Sequence, residues 1–238
     1  MIDKDTLLFG SFAQKAGSTG CVVHNAGLLY AGINAVYKPF AVEDISAAFE
    51  AAKTLGFSGF SVSRPFKVAA CLRADRIDPI AELIGATNTI LLRDGKFEAY
   101  NTDYLAAQEV LQNYLHDGQK DLVILGNGGY ASAVMYVAET LGFNWRFLTR
   151  QTLTELAEMR NCIVFNCTPV QHVVHESCRY IDCDPASPTG RHLAFTQARY
   201  QFKLYTGQEY PAELGVIASN GYTFEALVAW YADRSGCR

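Results

Sequence analysis

The chain has 238 residues, with twenty basic against twenty-four acidic side chains and a net charge of −4, which excludes an electrostatic case for nucleic acid or an anionic membrane as partner. Half of the residues are apolar, enough for a substantial core in one or two domains. No apolar run reaches membrane-spanning length and Met1-Ile2-Asp3-Lys4-Asp5 does not read as a secretory leader, so the expected address is cytoplasmic.

Residues 6–9 read as a short opening strand, and His24 and Asn25 as the start of a helix that they pack or cap. Residues 42–55 predict an amphipathic helix with Val42, Ile45, Phe49, Ala52 and Leu55 on one face, Glu43 and Asp44 in its first turn and Gly56 as its stop. A brief strand at 59–63 is halted by Pro65. Residues 77–84 look helical, and 89–92 with 96–100 form a hairpin across Arg93-Asp94-Gly95. This alternation predicts an α/β layer. A linking helix over 104–115 leads to a second α/β unit. It has an apolar strand of the buried parallel kind at 121–125, a helix at 131–141, and strands at 145–148 and 163–166.

Short polar motifs fall where strands should end: Ser63-Arg64-Pro65-Phe66-Lys67, Gly85-Ala86-Thr87-Asn88-Thr89, Asn101-Thr102-Asp103 and the loop Gly126-Asn127-Gly128-Gly129. Gly126-x-Gly128-x-x-Ala131, set between a strand and a helix, has the form of a dinucleotide fingerprint. Its first glycine permits the turn, its second lets the backbone approach a pyrophosphate, and its third small residue lets the helix pack closely. A merely tight turn is the competing reading. An NAD site would carry an acid about twenty residues on. Here stand Arg146, Thr149 and Arg150, with no acid until Glu155. Arg150 suits bidentate pairing with a 2′-phosphate, which favours NADP, against the alternative of solvated surface arginines. The seven scattered cysteines contain no Cys-x-x-Cys pair and the histidines show no ligand spacing, so no metal and no disulfide framework are expected.

In order and content these motifs resemble the shikimate dehydrogenase family, most closely its shikimate-dehydrogenase-like branch. The family's Asn-Val-Thr-x-Pro-x-Lys stands here as Ser61-Val62-Ser63-Arg64-Pro65-Phe66-Lys67, and its Asn-Thr-Asp as Asn101-Thr102-Asp103. The resemblance implies that Lys67 and Asp103 contact the hydroxyl being oxidised. Hydride can leave a secondary alcohol only as its proton also leaves, and a lysine beside the carbinol can relay that proton. A neighbouring carboxylate favours the charged ammonium, so steadying an alkoxide is the other role open to Lys67. A surface Lys67 with an Asp103 that caps the next helix is the bland alternative, and capping is compatible with either.

The resemblance further implies substrate contacts from Asn88 and from Gln197, the latter in a segment similar to the family's Met-Leu-x-x-Gln-Ala helix. Amides suit a polyol because they donate and accept at once. Ser11 and Ser63 complete the implied substrate set. Implied cofactor contacts are Gly126, Asn127, Gly128, Gly129, Tyr130, Ala131, the Thr149-Arg150 pair and Thr168. Thr168 lies in Asn166-Cys167-Thr168-Pro169-Val170, which follows the family's Asn-x-Thr-Pro-x-Gly-Met segment until Gln171-His172 replaces Gly-Met.

Two stretches depart from the family. Its Ser-x-Ser carboxylate clamp is reduced to Ser11-Phe12-Ala13, with Ser18 and Thr19 as possible substitutes; an unreplaced donor costs roughly 1.5–3 kcal/mol. Between Pro185 and Gln197 a helix–strand unit is missing, and Tyr180 is the nearest counterpart of a family tyrosine. The expected architecture is α/β in two domains: residues 1–103 with 194–238 for substrate, and 104–193 as an abridged Rossmann-like NADP-binding domain. The implied function is an NADP-dependent oxidoreductase of aromatic amino acid biosynthesis, a monomer or homodimer. It would interconvert shikimate, or a related cyclic hydroxy acid such as quinate or aminoshikimate, with its 3-dehydro ketone. A catalytically weak or silent paralogue that binds a metabolite or nucleotide as sensor or scaffold is the alternative.

Overall fold

The front half of the chain builds a six-stranded sheet. In chain order its elements are β1 (Leu7–Ala13), α1 (Thr19–Tyr30), β2 (Ala35–Ala41), α2 (Ile45–Thr54), β3 (Phe57–Val62), α3 (Lys67–Arg73), β4 (Arg76–Ile77), α4 (Pro79–Ile84), β5 (Thr89–Arg93) and β6 (Lys96–Tyr100). The computed structural model describes residues 2–214 and 224–235. Strand order is β2-β1-β3-β5-β6-β4, with β1 parallel to β2 and β3 and the β3–β5–β6 run antiparallel. The β5–β6 hairpin turns on Asp94 and Gly95, both at positive φ, as a two-residue turn matched to strand twist requires.

The amphipathic segment at 42–55 is helical only from Ile45, because Asp44 stands outside it as the cap and accepts the Ser46 N–H at 2.7 Å. Its buried face, Ile45, Ala48, Phe49 and Ala52, packs on Phe60 and Phe97 of the sheet. His24 and Asn25 do not begin a helix; they lie buried in the middle of α1. Asn25 donates to the Tyr37 carbonyl at 2.8 Å and accepts the Tyr37 N–H at 2.9 Å. It thereby satisfies backbone groups of β2, an edge strand with only one neighbour in the sheet.

The second sheet follows α5 (Asp103–His116) and comprises β7 (Asp121–Leu125), β8 (Asn144–Leu148), β9 (Ile163–Asn166) and β10 (Arg179–Asp182), with α6 (Gly129–Leu141) after β7 and a short 3₁₀ turn after β8. All four strands are parallel, in the order β10-β9-β7-β8. Leu122, Ile124, Ile163 and Phe165 point to the face covered by α5 and α6, and Val123, Leu125, Leu148 and Val164 to the other. Burial on both faces accounts for the continuous apolar runs. Residues 183–187 then lead straight from β10 into α7 (Pro188–Thr206), with no further strand between them. Phe195, Ala198 and Phe202 of α7 pack beside Val23 and Ala26 of α1, returning the chain to the front sheet. A last helix, α8 (Phe224–Ser235), also lies against α1. The architecture is thus α/β with a mixed front sheet and a parallel, Rossmann-like back sheet. Among the described residues no helix is long and apolar enough to cross a membrane.

Candidate active site

Lys67 is the first residue of α3 and Asp103 the first of α5, so two helix starts meet at the carboxyl ends of the sheets. Lys67 Nζ lies 2.5 Å from Asp103 Oδ2, with the lysine 8% exposed and the aspartate fully buried. Asp103 does not spend its carboxylate on capping α5. The Asn101 side chain takes that task, accepting the N–H groups of Asp103 at 2.9 Å and Tyr104 at 3.4 Å. Both Asp103 oxygens are thereby released for chemistry-bearing partners.

Asn88, on the short link from α4 into β5, is the hub. Its Nδ2 is 2.9 Å from Asp103 Oδ1, 2.9 Å from Thr102 Oγ1 and 3.1 Å from Gln197 Oε1, while its Oδ1 accepts the Thr102 N–H at 2.8 Å. Two amide hydrogens cannot saturate three acceptors. Gln197, the most distant of the three and half-buried, is therefore the one free to turn to a ligand. The structure brings Lys67, Asp103, Asn88 and Gln197 into one hydrogen-bonded chain drawn from α3, α5, the β5 edge and α7.

Ser11 and Ser63 stand apart from that chain. Ser63 is exposed at the carboxyl end of β3, its N–H bound to the Phe12 carbonyl at 3.0 Å. Ser11 sits in a cross-strand row, paired with Ser61, which is in turn paired with Thr89. Above this row lies a buried polar cluster that the sequence did not disclose. Ser61 Oγ donates to Gln201 Oε1 at 3.2 Å and receives the hydroxyls of Tyr37 at 2.8 Å and Tyr205 at 2.9 Å. Gln201 Nε2 reaches the Asn88 carbonyl and Thr89 Oγ1, both at 3.1 Å, and His24 Nε2 donates to Gln201 Oε1 at 3.3 Å. The one available signal for Gln201 was its spacing: four residues after Gln197, it shares a helix face with it. Burial pushes the Tyr37 phenol up to about 12 and pulls the His24 imidazole down to about 4. These groups are therefore neutral hydrogen-bonding fixtures near pH 7.

Across the cleft, a cavity of about 550 Å³ is lined by Gly126, Asn127, Gly128, Thr149, Arg150 and Thr168, together with Arg64 and His172. It opens beside β7 and β9, where the strand order reverses, the usual ligand crevice of such sheets. Gly126 has φ +101°, and an added Cβ would come within 3.1 Å of Thr168 Cγ2; beyond Gly128 an added Cβ would meet nothing within 4 Å. The turn thus requires a glycine at 126, while position 128 faces open space as a loop approached by a ligand should. Arg64 and Arg150 have no acidic partner among the described residues. Free guanidinium groups and the amino end of a 13-residue helix form a donor set that fits a dinucleotide's phosphates.

Gly129, Tyr130 and Ala131 lie on the other side of the loop. A Cβ at Gly129 would sit 3.0 Å from both Lys67 Cβ and Ala86 Cβ. The Tyr130 ring centroid is 5.0 Å from Lys67 Nζ, and its buried hydroxyl has no partner. Burial first, then the nearby Asp103 charge, hold that phenol well above its ordinary range. Ala131 is fully buried under the helix. Cys183 at the end of β10 is pushed up to about 11 by burial, with the charges of Arg64 and Lys67 acting against that rise. Tyr180 is on β10, its hydroxyl accepting the His172 N–H at 3.2 Å.

A family model, the shikimate dehydrogenase substrate binding domain, matches residues 13–90. The shikimate dehydrogenase-like protein of Haemophilus influenzae is 36% identical over 143 residues, 60% of this chain and 53% of that protein. A shikimate dehydrogenase (NADP(+)) of Bacillus cereus is 32% identical over 172 residues, 70% of this chain and 61% of that one. The chain therefore matches between about half and three-fifths of the length of these curated relatives. Among solved structures, the shikimate dehydrogenase of Aquifex aeolicus superposes with a TM-score of 0.78 at 26% identity, over 89% of this chain and 96% of that one. Sequence and fold alike make this chain a relative of the shikimate dehydrogenases.

Proposed function

We propose that this protein is an NADP-dependent oxidoreductase that interconverts shikimate, or a related cyclic hydroxy acid such as quinate or aminoshikimate, with its 3-dehydro ketone. The reading rests above all on the Lys67–Asp103 pair, buried and held by Asn88 beside the glycine-loop cavity. In it, residues 1–103 with 194–238 form the substrate domain and 104–193 the nucleotide domain of a cytoplasmic monomer or homodimer. The cofactor site is formed by Gly126, Asn127, Gly128, Gly129, Tyr130, Ala131, Thr149, Arg150 and Thr168, with Arg150 on the 2′-phosphate.

Bound NADP supplies the acceptor, or in reverse the donor, of hydride. The protein's part is the proton and the orientation. Lys67 Nζ faces the carbinol oxygen: as the neutral amine it takes the carbinol proton while the carbon–hydrogen bond breaks, as the ammonium it steadies the alkoxide, and in the reverse direction the ammonium gives a proton to the ketone oxygen as hydride arrives. Asp103 Oδ2 holds the ammonium in place. Gln197 grips a neighbouring ring hydroxyl, while Asn88, a substrate contact by the family resemblance, acts here by holding Asp103 and Gln197 in position, with Ser11 and Ser63 towards the carboxylate end.

The test is absorbance of the reduced nicotinamide with purified protein, NADP and a panel of cyclohexane-type hydroxy acids. Turnover of at least one, reduced by about a hundredfold or more in Lys67→Ala, is expected. No turnover of any, with wild type and Lys67→Ala alike, would sink the enzyme reading and leave a ligand-binding paralogue.

A further inference from the structure

The loop between β3 and α3 ends in Lys67, yet its Arg64 lines the cavity of the opposite sheet beside Gly126, Asn127, Cys167 and Thr168. The Arg64 carbonyl is pinned by the Gln14 N–H at 3.2 Å, and its neighbour Ser63 is fixed to β1 through the Phe12 carbonyl. The side chain, by contrast, is exposed and has no hydrogen-bond or acidic partner among the described residues. Its charge also acts on the Cys183 thiol at the end of β10, opposing the rise that burial gives that group. Arg150 lies after β8, on the other side of the glycine loop in strand order.

We propose that Arg64 is a second cationic anchor of the cofactor cavity, supplied by the front sheet, and that it binds the diphosphate bridge common to both nicotinamide dinucleotides. This rests on the oxidoreductase reading and adds to it a residue outside the nucleotide-binding unit. Helix-end N–H groups are aimed at an anion from one side of the cavity, and a planar guanidinium provides paired donors from the other. Lys67 follows Arg64 by three residues, so an anion held at Arg64 also restrains the segment that carries the lysine. Cofactor binding and the placement of Lys67 are coupled through that one loop, and coupling of this kind is reciprocal.

The division of labour between the two arginines gives the test. Calorimetric titration of NADP and of NAD into wild type, Arg64→Ala and Arg150→Ala separates a diphosphate contact from a 2′-phosphate contact. Arg64→Ala is expected to weaken both dinucleotides by the same factor, about tenfold, and to flatten the salt dependence of binding. The NADP-to-NAD preference stays unchanged in that variant, whereas Arg150→Ala weakens NADP alone. Arg64→Lys should recover part of the loss, since it restores the charge but not the fork. Unchanged affinity in Arg64→Ala would overturn the proposal, as would a loss confined to NADP. A wild type that binds neither dinucleotide would overturn the cofactor reading itself along with it. Arg64 is exposed, so a melting curve matching wild type is expected and ensures that altered binding is read on folded protein.

Discussion

At Asn88 both ends of the side-chain amide are already engaged by Asp103, Thr102 and Gln197. Across the cleft, Arg64 and Arg150 look into a cavity of about 550 Å³ with no acidic partner among the described residues. The front of the site is thus assembled in advance, its polar groups oriented by one another and by burial, while the back presents cationic side chains that no acidic group pairs among the described residues. Preorganised dipoles act on a reacting centre without having to rearrange, and open cations discriminate among ligands by charge. The contrast also separates two kinds of mutational effect: front residues should register in stability, back residues in affinity.

Asn88→Ala is expected to have the largest effect. It strips a hydrogen bond from a fully buried carboxylate and another from the buried Thr102 N–H, and should cost about 3–5 kcal/mol in urea unfolding. A cost under about 1 kcal/mol would show that the front network rearranges freely. His24 gives the next largest. Its pKa is about 4 in the folded protein, chiefly through burial, with the Gln201 hydrogen bond opposing. The unfolded imidazole protonates near its ordinary value of about 6.5. Between those values the unfolded state binds the extra proton. Stability should therefore fall as pH drops from about 6.5 towards 4, by up to about 3 kcal/mol. Unfolding curves at several pH values, compared with those of His24→Phe, check this: the variant should lose that part of the acid sensitivity. Arg150→Ala should be the smallest, within about 0.5 kcal/mol of wild type in the same assay. A larger loss would mean that the back cavity is also prebuilt.

What the sequence disclosed, and what it concealed, follows the same division. The strands Asp121–Leu125 and Ile163–Asn166 were readable to the residue because burial on both faces leaves an uninterrupted apolar run. The glycine loop was readable because a positive φ and a close approach allow few alternatives at Gly126. Helix α1 was not read as a whole, since its buried residues include His24, Asn25 and Gly27 and blur the apolar stripe. Strand β2 carries Pro39, which hides a strand signal although an edge position tolerates it. Lys67, Asp103 and Asn88 could be named from their motifs. The cluster of Ser61, Tyr37, Tyr205 and Gln201 could not, because its Ser61–Tyr205 hydrogen bond spans 144 positions and exists only once α7 has folded back over the front sheet. That Asn101 rather than Asp103 caps α5 was likewise invisible, both residues being good caps with nothing local to choose between them.

Gly129 sets a condition on anyone who would exchange one half of this molecule for another. The first turn of α6 meets the stem of Lys67 and the methyl of Ala86 so closely that a single extra carbon would sit 3.0 Å from each. A transplanted back sheet with a side chain at that one place would have to push Lys67 or Ala86 aside by a few tenths of an ångström to seat at the same depth. One residue earlier, at Gly128, the loop borders open space and imposes no such condition. Interchangeability of the halves is thus decided less by the broad cleft between them than by a contact the size of one methyl group.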